Sequence, residues 1–118
     1  MLSSSETIKV YLATGSTDMR KAIDGLAAIV QEYFSLDPFS TSLFVFCNKN
    51  CNKIKILQWD QCGFWLHYRR LEKGNFQWPK DSNNSPMSVS RRELQWLLDG
   101  LSLDQKHAHK KVAASAVI

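Results

Sequence analysis

Residues 53–71, KIKILQWDQCGFWLHYRRL, decide the fold of this 118-residue chain. Polar and apolar side chains alternate over residues 53–59, which is the pattern of a half-buried strand. Asp60 and Gly63 then stand at the first and last positions of a turn, and residues 64–71 return as a second strand. The stretch therefore predicts an antiparallel hairpin at the centre of the domain.

The segments before the hairpin predict further strands and a helix. Residues 7–12 alternate like a strand, and residues 43–47 form a short strand that is continuously apolar. Between these two segments, apolar side chains recur at helical spacing over about residues 19–34. Asp18 or Thr17 is placed to be the N-cap of that helix.

The segments after the hairpin predict a second helix. Residues 76–78 add a short strand, and residues 80–86 are a polar loop. Ser90 and Glu93 have the spacing of a capping box, so a helix is predicted over about residues 91–99.

Hairpins dominate over alternating strands and helices, so the predicted class is α+β. We expect a mostly antiparallel sheet of about four to five strands, with a central hairpin, covered by two helices. Residues 1–103 form the single predicted domain. No periodicity continues beyond residue 103, so residues 104–118 are predicted to be a flexible tail.

Positive charge is concentrated in the middle of the chain. The chain holds 15 Lys and Arg against 11 Asp and Glu, a net charge of +4, and residues 49–80 hold seven basic and two acidic side chains. Such a local excess suits a polyanion as partner. We expect a cytoplasmic protein without membrane contact, because the N-terminus is polar and no apolar run could span a bilayer. Three cysteines argue against a disulfide framework.

A three-residue turn would give the hairpin one face that carries Lys53, Lys55, Leu57, Trp59, Trp65, His67, Arg69 and Leu71. That register sets Asp60 opposite Phe64, Lys55 opposite Arg69, and Trp59 opposite Trp65, with Ile54, Ile56, Leu66 and Tyr68 on the core side. Facing like charges destabilise a sheet unless an anion lies between them, and cations mixed with aromatic rings suit a nucleic acid. The predicted DNA-binding residues are Lys53, Lys55, Trp59, Trp65, Arg69, Arg70 and Lys73. The alternatives are a turn one residue different, or tryptophans that pack beneath the helices.

The strand-to-helix junction, residues 15–21, is a second candidate site. Unpaired N–H groups at a helix N-terminus, beside two cations, suit a bound phosphate. The phosphate-binding candidates are Ser16, Thr17, Arg20 and Lys21. The alternative is that Asp18 caps the helix and the two cations are solvated.

Metal and catalytic patterns are weak. Cys47, Cys51, Cys62 and His67 are ligand types that zinc accepts, but they lack the tight spacing of zinc sites, so we expect idle or buried thiols and no cofactor. The acidic residues occur singly at caps, turns and helix surfaces, and no nucleophile elbow, His-Glu-x-x-His or glycine-rich nucleotide loop is present. We therefore predict no catalytic site.

Several segments together resemble one known family. They are VYLATGSTDMRK (10–21), DGLA (24–27), DPFS (37–40), LFVF (43–46), KIKILQWD (53–60) and YRRLEKGNFQWP (68–79). Over roughly residues 7–101 the chain resembles the TnpB or Orf2-like accessory proteins of the insertion-sequence sixty-six family. The resemblance implies a small protein that is encoded beside a separate, larger transposase, is needed for movement of the element, and has no agreed catalytic residues. Residues 48–52 depart from the family pattern, because Asn residues and Cys51 stand where relatives tend to carry Arg and Gly.

Three functions are weighed. The first is a noncatalytic accessory protein for transposition that binds DNA through the basic hairpin face. The second is an adaptor that docks onto the transposase of the same element, through that face or through the second helix and its leucines Leu94, Leu97, Leu98 and Leu101. The third is a phosphate-directed enzyme that uses residues 15–21.

Overall fold

Two parallel strands form the middle of the sheet. The computed structural model describes residues 8–80 and 83–103. Its elements are β1 (Lys9–Ser16), α1 (Ile23–Glu32), β2 (Ser42–Cys47), β3 (Lys53–Asp60), β4 (Gly63–Arg70), β5 (Pro86–Val89) and α2 (Arg91–Leu98). The strand order is β4-β3-β2-β1-β5; β1 and β2 are parallel, and the other three pairs are antiparallel. The predicted α+β class, with a mostly antiparallel sheet and two helices, is confirmed.

Both faces of the sheet are covered, and all six residues of β2 are buried. The α1 face holds one apolar cluster, formed by Ala13, Leu26, Val30, Phe44, Phe46 and Leu57. The α2 face holds another, in which Leu94, Leu97, Phe76 and Trp78 cover Val10, Leu12, Leu43, Val45, Ile54 and Ile56. A strand that is buried on both faces has no polar side, which explains the continuously apolar run at residues 43–47.

The second helix begins as predicted. The Ser90 hydroxyl accepts a hydrogen bond from the Glu93 backbone N–H at 3.0 Å, and the Glu93 carboxylate accepts one from the Ser90 N–H at 2.9 Å. These two bonds form the predicted capping box. The helix ends at Leu98, one residue before the predicted end.

The first helix begins at Ile23, and its predicted start near Met19 is wrong. The carbonyl oxygens of Met19 and Lys21 accept hydrogen bonds from the Lys55 ammonium group, at 2.7 and 2.8 Å. In a helix these carbonyls would accept from N–H groups four residues later. Lys55 therefore holds the residues before Ile23 in a non-helical path.

Neither Asp18 nor Thr17 is the N-cap of α1. The N-cap is Ala22, whose side chain makes no capping bond. Asp18 instead accepts a hydrogen bond from the backbone N–H of Arg20 at 2.9 Å, within a turn that precedes the helix. The sequence pattern identified a real local bond but assigned it to the wrong element.

The hairpin turn contains two residues, Gln61 and Cys62, instead of the three we expected. Asp60 pairs with Gly63, and a one-residue change of register moves every β4 side chain to the opposite face. The observed pairs include Lys53 with Arg70, Ile54 with Arg69, Lys55 with Tyr68, and Trp59 with Phe64. The predicted pairs, Lys55 with Arg69 and Trp59 with Trp65, are therefore wrong.

The new register divides the predicted binding face between the two sides of the sheet. Lys53, Lys55 and Trp59 share the α1 side with Leu66, Tyr68 and Arg70, whereas Trp65, His67 and Arg69 lie on the α2 side. Leu66 packs with the α1 cluster and Ile54 with the α2 cluster, so the predicted single core side is also wrong. The reason is that the sheet buries apolar side chains on both faces.

The segment between β4 and α2 differs from its prediction. Residues 76–78 form no strand; Phe76 and Trp78 are buried over the α2 face, and the Trp78 indole N–H donates to the carbonyl of Ala13 at 2.9 Å. The strand lies later, at Pro86–Val89, where β5 pairs with β1. Pro86 is tolerated at the start of an edge strand, where a missing N–H breaks little of the ladder.

Across the described ranges, no helix has the length and hydrophobicity needed to cross a membrane. The predicted tail, residues 104–118, lies outside the described residues. The division into a domain over residues 1–103 and a tail therefore stays a prediction.

The Leu57→Ala substitution tests which face of β3 is packed into the core. Leu57 is fully buried beneath α1, on the face that the sequence predicted to be the exposed binding face. We expect the substitution to lower the free energy of unfolding by about 2–5 kcal/mol, measured by urea denaturation. Leu101→Ala removes the same atoms from a side chain that is 41% exposed, and should change stability by less than about 0.5 kcal/mol. Equal stability of the two variants would contradict the burial of this face of β3 beneath α1.

Candidate nucleic-acid interface

The candidate site lies where the two parallel strands end. Because β1 and β2 run in the same direction, the segments that follow them, residues 17–22 and 48–52, meet at one edge of the sheet. The Thr17 N–H donates to the carbonyl of Cys47 at 2.8 Å and holds the two segments together. Open sheets with parallel strands bind ligands in the crevice at this edge. We call this surface, residues 15–22 and 48–55 together with Lys80, the carboxyl edge.

The largest depression on the carboxyl edge is an open groove of about 740 Å³. It runs between residues 17–20, residues 48–50 and the hairpin, and we call it the hairpin groove. Lys49, Lys53 and Lys55 line it, together with the half-exposed ring of Tyr68. The structure thus brings together the two regions that the sequence singled out, the junction and the basic hairpin.

Two smaller grooves adjoin the hairpin groove. One, of about 350 Å³, is lined by Lys49 and Lys80, and the other, of about 550 Å³, is lined by Lys21. Asp18 is the only acidic side chain that lines any of the three grooves in the described part of the chain. The carboxyl edge therefore carries a strong excess of positive charge.

Lys55 positions the site rather than presenting a free cation. Its ammonium group uses two of three donors on the carbonyls of Met19 and Lys21, and lies 5.9 Å from the centre of the Tyr68 ring. These bonds connect β3 to the loop that precedes α1. One wall of the hairpin groove is therefore held against the other by a single side chain.

Arg20 is largely neutralised by its neighbour. Its guanidinium donates to both carboxylate oxygens of Asp18, the shortest contact being 2.7 Å, and both side chains are exposed. These hydrogen bonds, from the guanidinium first and the Arg20 N–H second, lower the pKa of Asp18 from 3.8 to about 2. Because the carboxylate stays ionised at neutral pH, Arg20 is a poor candidate for an incoming phosphate.

Lys49 and Lys53 are the available cations of the hairpin groove. Neither makes an ion pair with any residue in the described ranges. Asn48 orders the turn that carries Lys49, because its side-chain oxygen accepts from the N–H groups of Asn52 and Lys53, both at 3.0 Å. Asn48, Lys49 and Lys80 are not among the site residues predicted from the sequence, although the two lysines lie within the basic segment of residues 49–80.

The remaining predicted DNA-binding residues lie elsewhere. Arg70 forms an ion pair with Glu72 at 2.9 Å, and Lys73 lies in the exposed segment after β4. Trp65 and Arg69 are on the α2 side, where the Trp65 ring stacks on His67 with centroids 5.9 Å apart. Trp59 packs against Phe39 and Phe64, each with ring centroids 5.0 Å away, at the other end of the hairpin. Trp59, Trp65 and Arg69 therefore do not form one surface with Lys53 and Lys55, whereas Arg70 lies opposite Lys53 but outside the lining of the hairpin groove.

The predicted phosphate-binding residues do not form the start of the first helix, which was the reason for predicting them. Ser16, Thr17, Arg20 and Lys21 all precede α1, so none of them lies in its first turn. Thr17 is buried, whereas Ser16 and Lys21 are exposed and line the groove of about 550 Å³. What remains is a lysine beside a hydroxyl at the carboxyl edge.

The thiols are spread over the sheet. Cys47 is buried beside Cys51, and burial is the main cause that raises the pKa of Cys47 to about 12. Cys62 lies in the hairpin turn at the opposite end of β3, roughly 20 Å away at the rise of a strand. In the described ranges, no three His, Cys, Asp or Glu side chains come together as a metal site would require.

Arg20→Gln tests the origin of the low pKa of Asp18. Without the guanidinium, we expect the pKa of Asp18 to rise from about 2 toward 3.8, measured by NMR titration of the side-chain carboxyl. Because the folded-state pKa is depressed, the pair stabilises the fold above pH 3.8 and ceases to do so as the pH falls to about 2. Lys21→Gln, which removes a nearby cation whose side chain gives no hydrogen bond to the Asp18 carboxylate, should leave the pKa close to 2. Equal shifts in the two variants would argue against the hydrogen bonds as the cause.

The comparisons with known proteins agree with the resemblance seen in the sequence. The family model described as IS66 Orf2 like protein matches residues 8–108. An uncharacterized protein of Sinorhizobium fredii, y4hO, is 36% identical over 107 residues, which cover 91% of this chain and 90% of that protein. A second uncharacterized protein of the same organism, y4jC, is 31% identical over 101 residues, or 86% of each chain. No solved structure matches significantly. On the extent of these matches, the chain belongs to the IS66 Orf2-like family.

Proposed function

We propose that this protein is a noncatalytic accessory protein of bacterial DNA transposition that binds the phosphate backbone of DNA at its carboxyl edge. Membership of the IS66 Orf2-like family supports the accessory role. The observation that carries DNA binding is the gathering of Lys21, Lys49, Lys53, Lys55 and Lys80 around three adjoining grooves. A protein acting on the DNA of an insertion sequence would work in the cytoplasm.

The charge balance of the carboxyl edge favours a polyanion over a small ligand. The only carboxylate that lines the grooves among the described residues, Asp18, is already bonded to Arg20. The grooves are open and adjoin each other, which suits an extended chain of phosphates better than a single enclosed group. Lysines that neutralise phosphates release condensed counterions, so binding of this kind weakens steeply as salt is added.

Tyr68 gives the hairpin groove an aromatic wall. Its ring is 53% exposed, and it lies beside the Lys55 ammonium group. Aromatic rings next to cations stack on exposed bases in single strands, or contact sugars in a duplex. In this role Tyr68 replaces Trp59 and Trp65, which the structure places outside the groove.

The Lys49→Ala/Lys53→Ala double variant tests this function. We expect the plot of log affinity against log salt concentration to become shallower by about 2, because each lost phosphate contact contributes roughly 0.9 to the slope for a duplex. The measurement is fluorescence anisotropy with labelled single- and double-stranded DNA over a series of salt concentrations.

Lys9→Ala is the matched control. Lys9 is an exposed lysine at the opposite end of β1, so this variant loses charge away from the carboxyl edge and should retain the wild-type slope. Failure of the wild-type protein to bind either form of DNA at low salt would refute the proposal, as would an equal loss of slope in the Lys9 variant.

A second candidate function is an adaptor that docks onto the transposase of the same element. The observation in its favour is the aromatic group of Phe39, Trp59 and Phe64, with Phe39 55% exposed. Exposed aromatic side chains that pack together are typical anchors of protein interfaces. Phe39→Ser should then reduce co-purification with the transposase, whereas Tyr33→Ser, at a more exposed ring outside this group, should not. Equal recovery of the transposase by both variants would refute docking at this group.

A further inference from the structure

The two outer strands of the sheet, β4 and β5, differ in how easily another strand could pair with them. β5 has four residues and begins with Pro86, which cannot donate a backbone hydrogen bond. β4 has eight residues and no proline, and its register with β3 is unbroken along its whole length. Among the described residues, no element pairs with its outer side. Its outward N–H and C=O groups are a template for another strand.

Exposed aromatic rings flank the open edge on both faces. Trp65 is 54% exposed and Tyr68 is 53% exposed, and they lie on opposite sides of the sheet. A partner that docks on one face would cover one of these rings. A strand added in the plane of the sheet would contact the outer side of both, so the pair of rings indicates edge pairing.

The order of residues along β4 suits a second copy of the same strand. The aromatic side chains Phe64 and Trp65 lie near its start, and Arg69 and Arg70 lie at its end. In an antiparallel pair with His67 at the two-fold axis, Trp65 faces Arg69 of the second copy and Phe64 faces its Arg70. Cations then meet aromatic rings, which attracts them, and like charges stay apart.

We propose that the outer edge of β4 pairs with β4 of a second copy. The two strands are antiparallel, and they join the two five-stranded sheets into one continuous sheet. Arg69 is available for this contact because it makes no ion pair within the described ranges. A two-fold axis perpendicular to the sheet keeps the α1 faces of both copies on the same side. The hairpin grooves of the two copies consequently lie on one side of the dimer.

The test is the mass of the full chain in solution, without DNA. Light scattering across a concentration series should show the 13.5 kDa monomer converting to a species of twice that mass. Trp65→Lys and Tyr68→Lys act on opposite faces of the edge, and each should raise the dimer dissociation constant by roughly tenfold or more. The new cation at position 65 faces Arg69 of the second copy, and the new cation at position 68 lies diagonally opposite its own counterpart across the axis. Tyr33→Lys makes the same change on a ring that is 78% exposed and away from the edge, and should leave the constant unchanged.

Backbone amide exchange gives a readout that needs no variant. In the wild-type chain, exchange of the outward amides of residues 63–70 should slow as protein concentration rises, while exchange in β5 should not. A monomer at every concentration would overturn the proposal, and so would a dimer weakened by only one of the two edge variants. Because DNA binding is measured separately on Lys49 and Lys53, a monomer that binds DNA would refute the edge pairing alone.

Discussion

Burial of β2 on both faces is the constraint on which the rest of the structure depends. Each of its six residues is inaccessible, so apolar layers must cover both sides of the sheet. The chain meets this requirement by placing α1 on one side, and α2 with Phe76 and Trp78 on the other. A strand parallel to β2 needs a crossover connection, which here is α1. That crossover brings the loop before α1 to the same edge as the turn after β2.

The carboxyl edge is therefore a consequence of strand direction. Had β1 and β2 been antiparallel, residues 17–22 and 48–52 would lie at opposite ends of the sheet, and their lysines would not share a groove. Lys55 then fixes the fine geometry, because its two bonds to carbonyls of the junction delay the start of α1 until Ile23. One cation of the hairpin thus shapes the groove, while Lys49 and Lys53 remain available within the described ranges.

In the hairpin, a change of one residue in the register determines which face of the sheet each β4 side chain occupies. Alternation over residues 53–59 predicted the strand correctly, but alternation looks the same whichever way the returning strand pairs. Only the length of the turn determines whether Trp65 shares a face with Trp59, and a two-residue turn separates them. The predicted single basic and aromatic face failed for this reason, whereas Lys53 and Lys55 share a face in either register because both lie on β3.

The sequence by itself determined the α+β class, the hairpin, the capping box of α2 and the family. All of these depend on local spacing or on short segments in a fixed order. The tertiary structure alone decided the parallel pairing of β1 with β2, the late start of α1, the edge strand β5 and the set of lysines at the carboxyl edge. Each of these depends on contacts between residues far apart in the chain, such as Lys55 with Met19 or Val89 with Val10. No local pattern encodes such contacts, because their energy is gained only once both faces of β2 are covered.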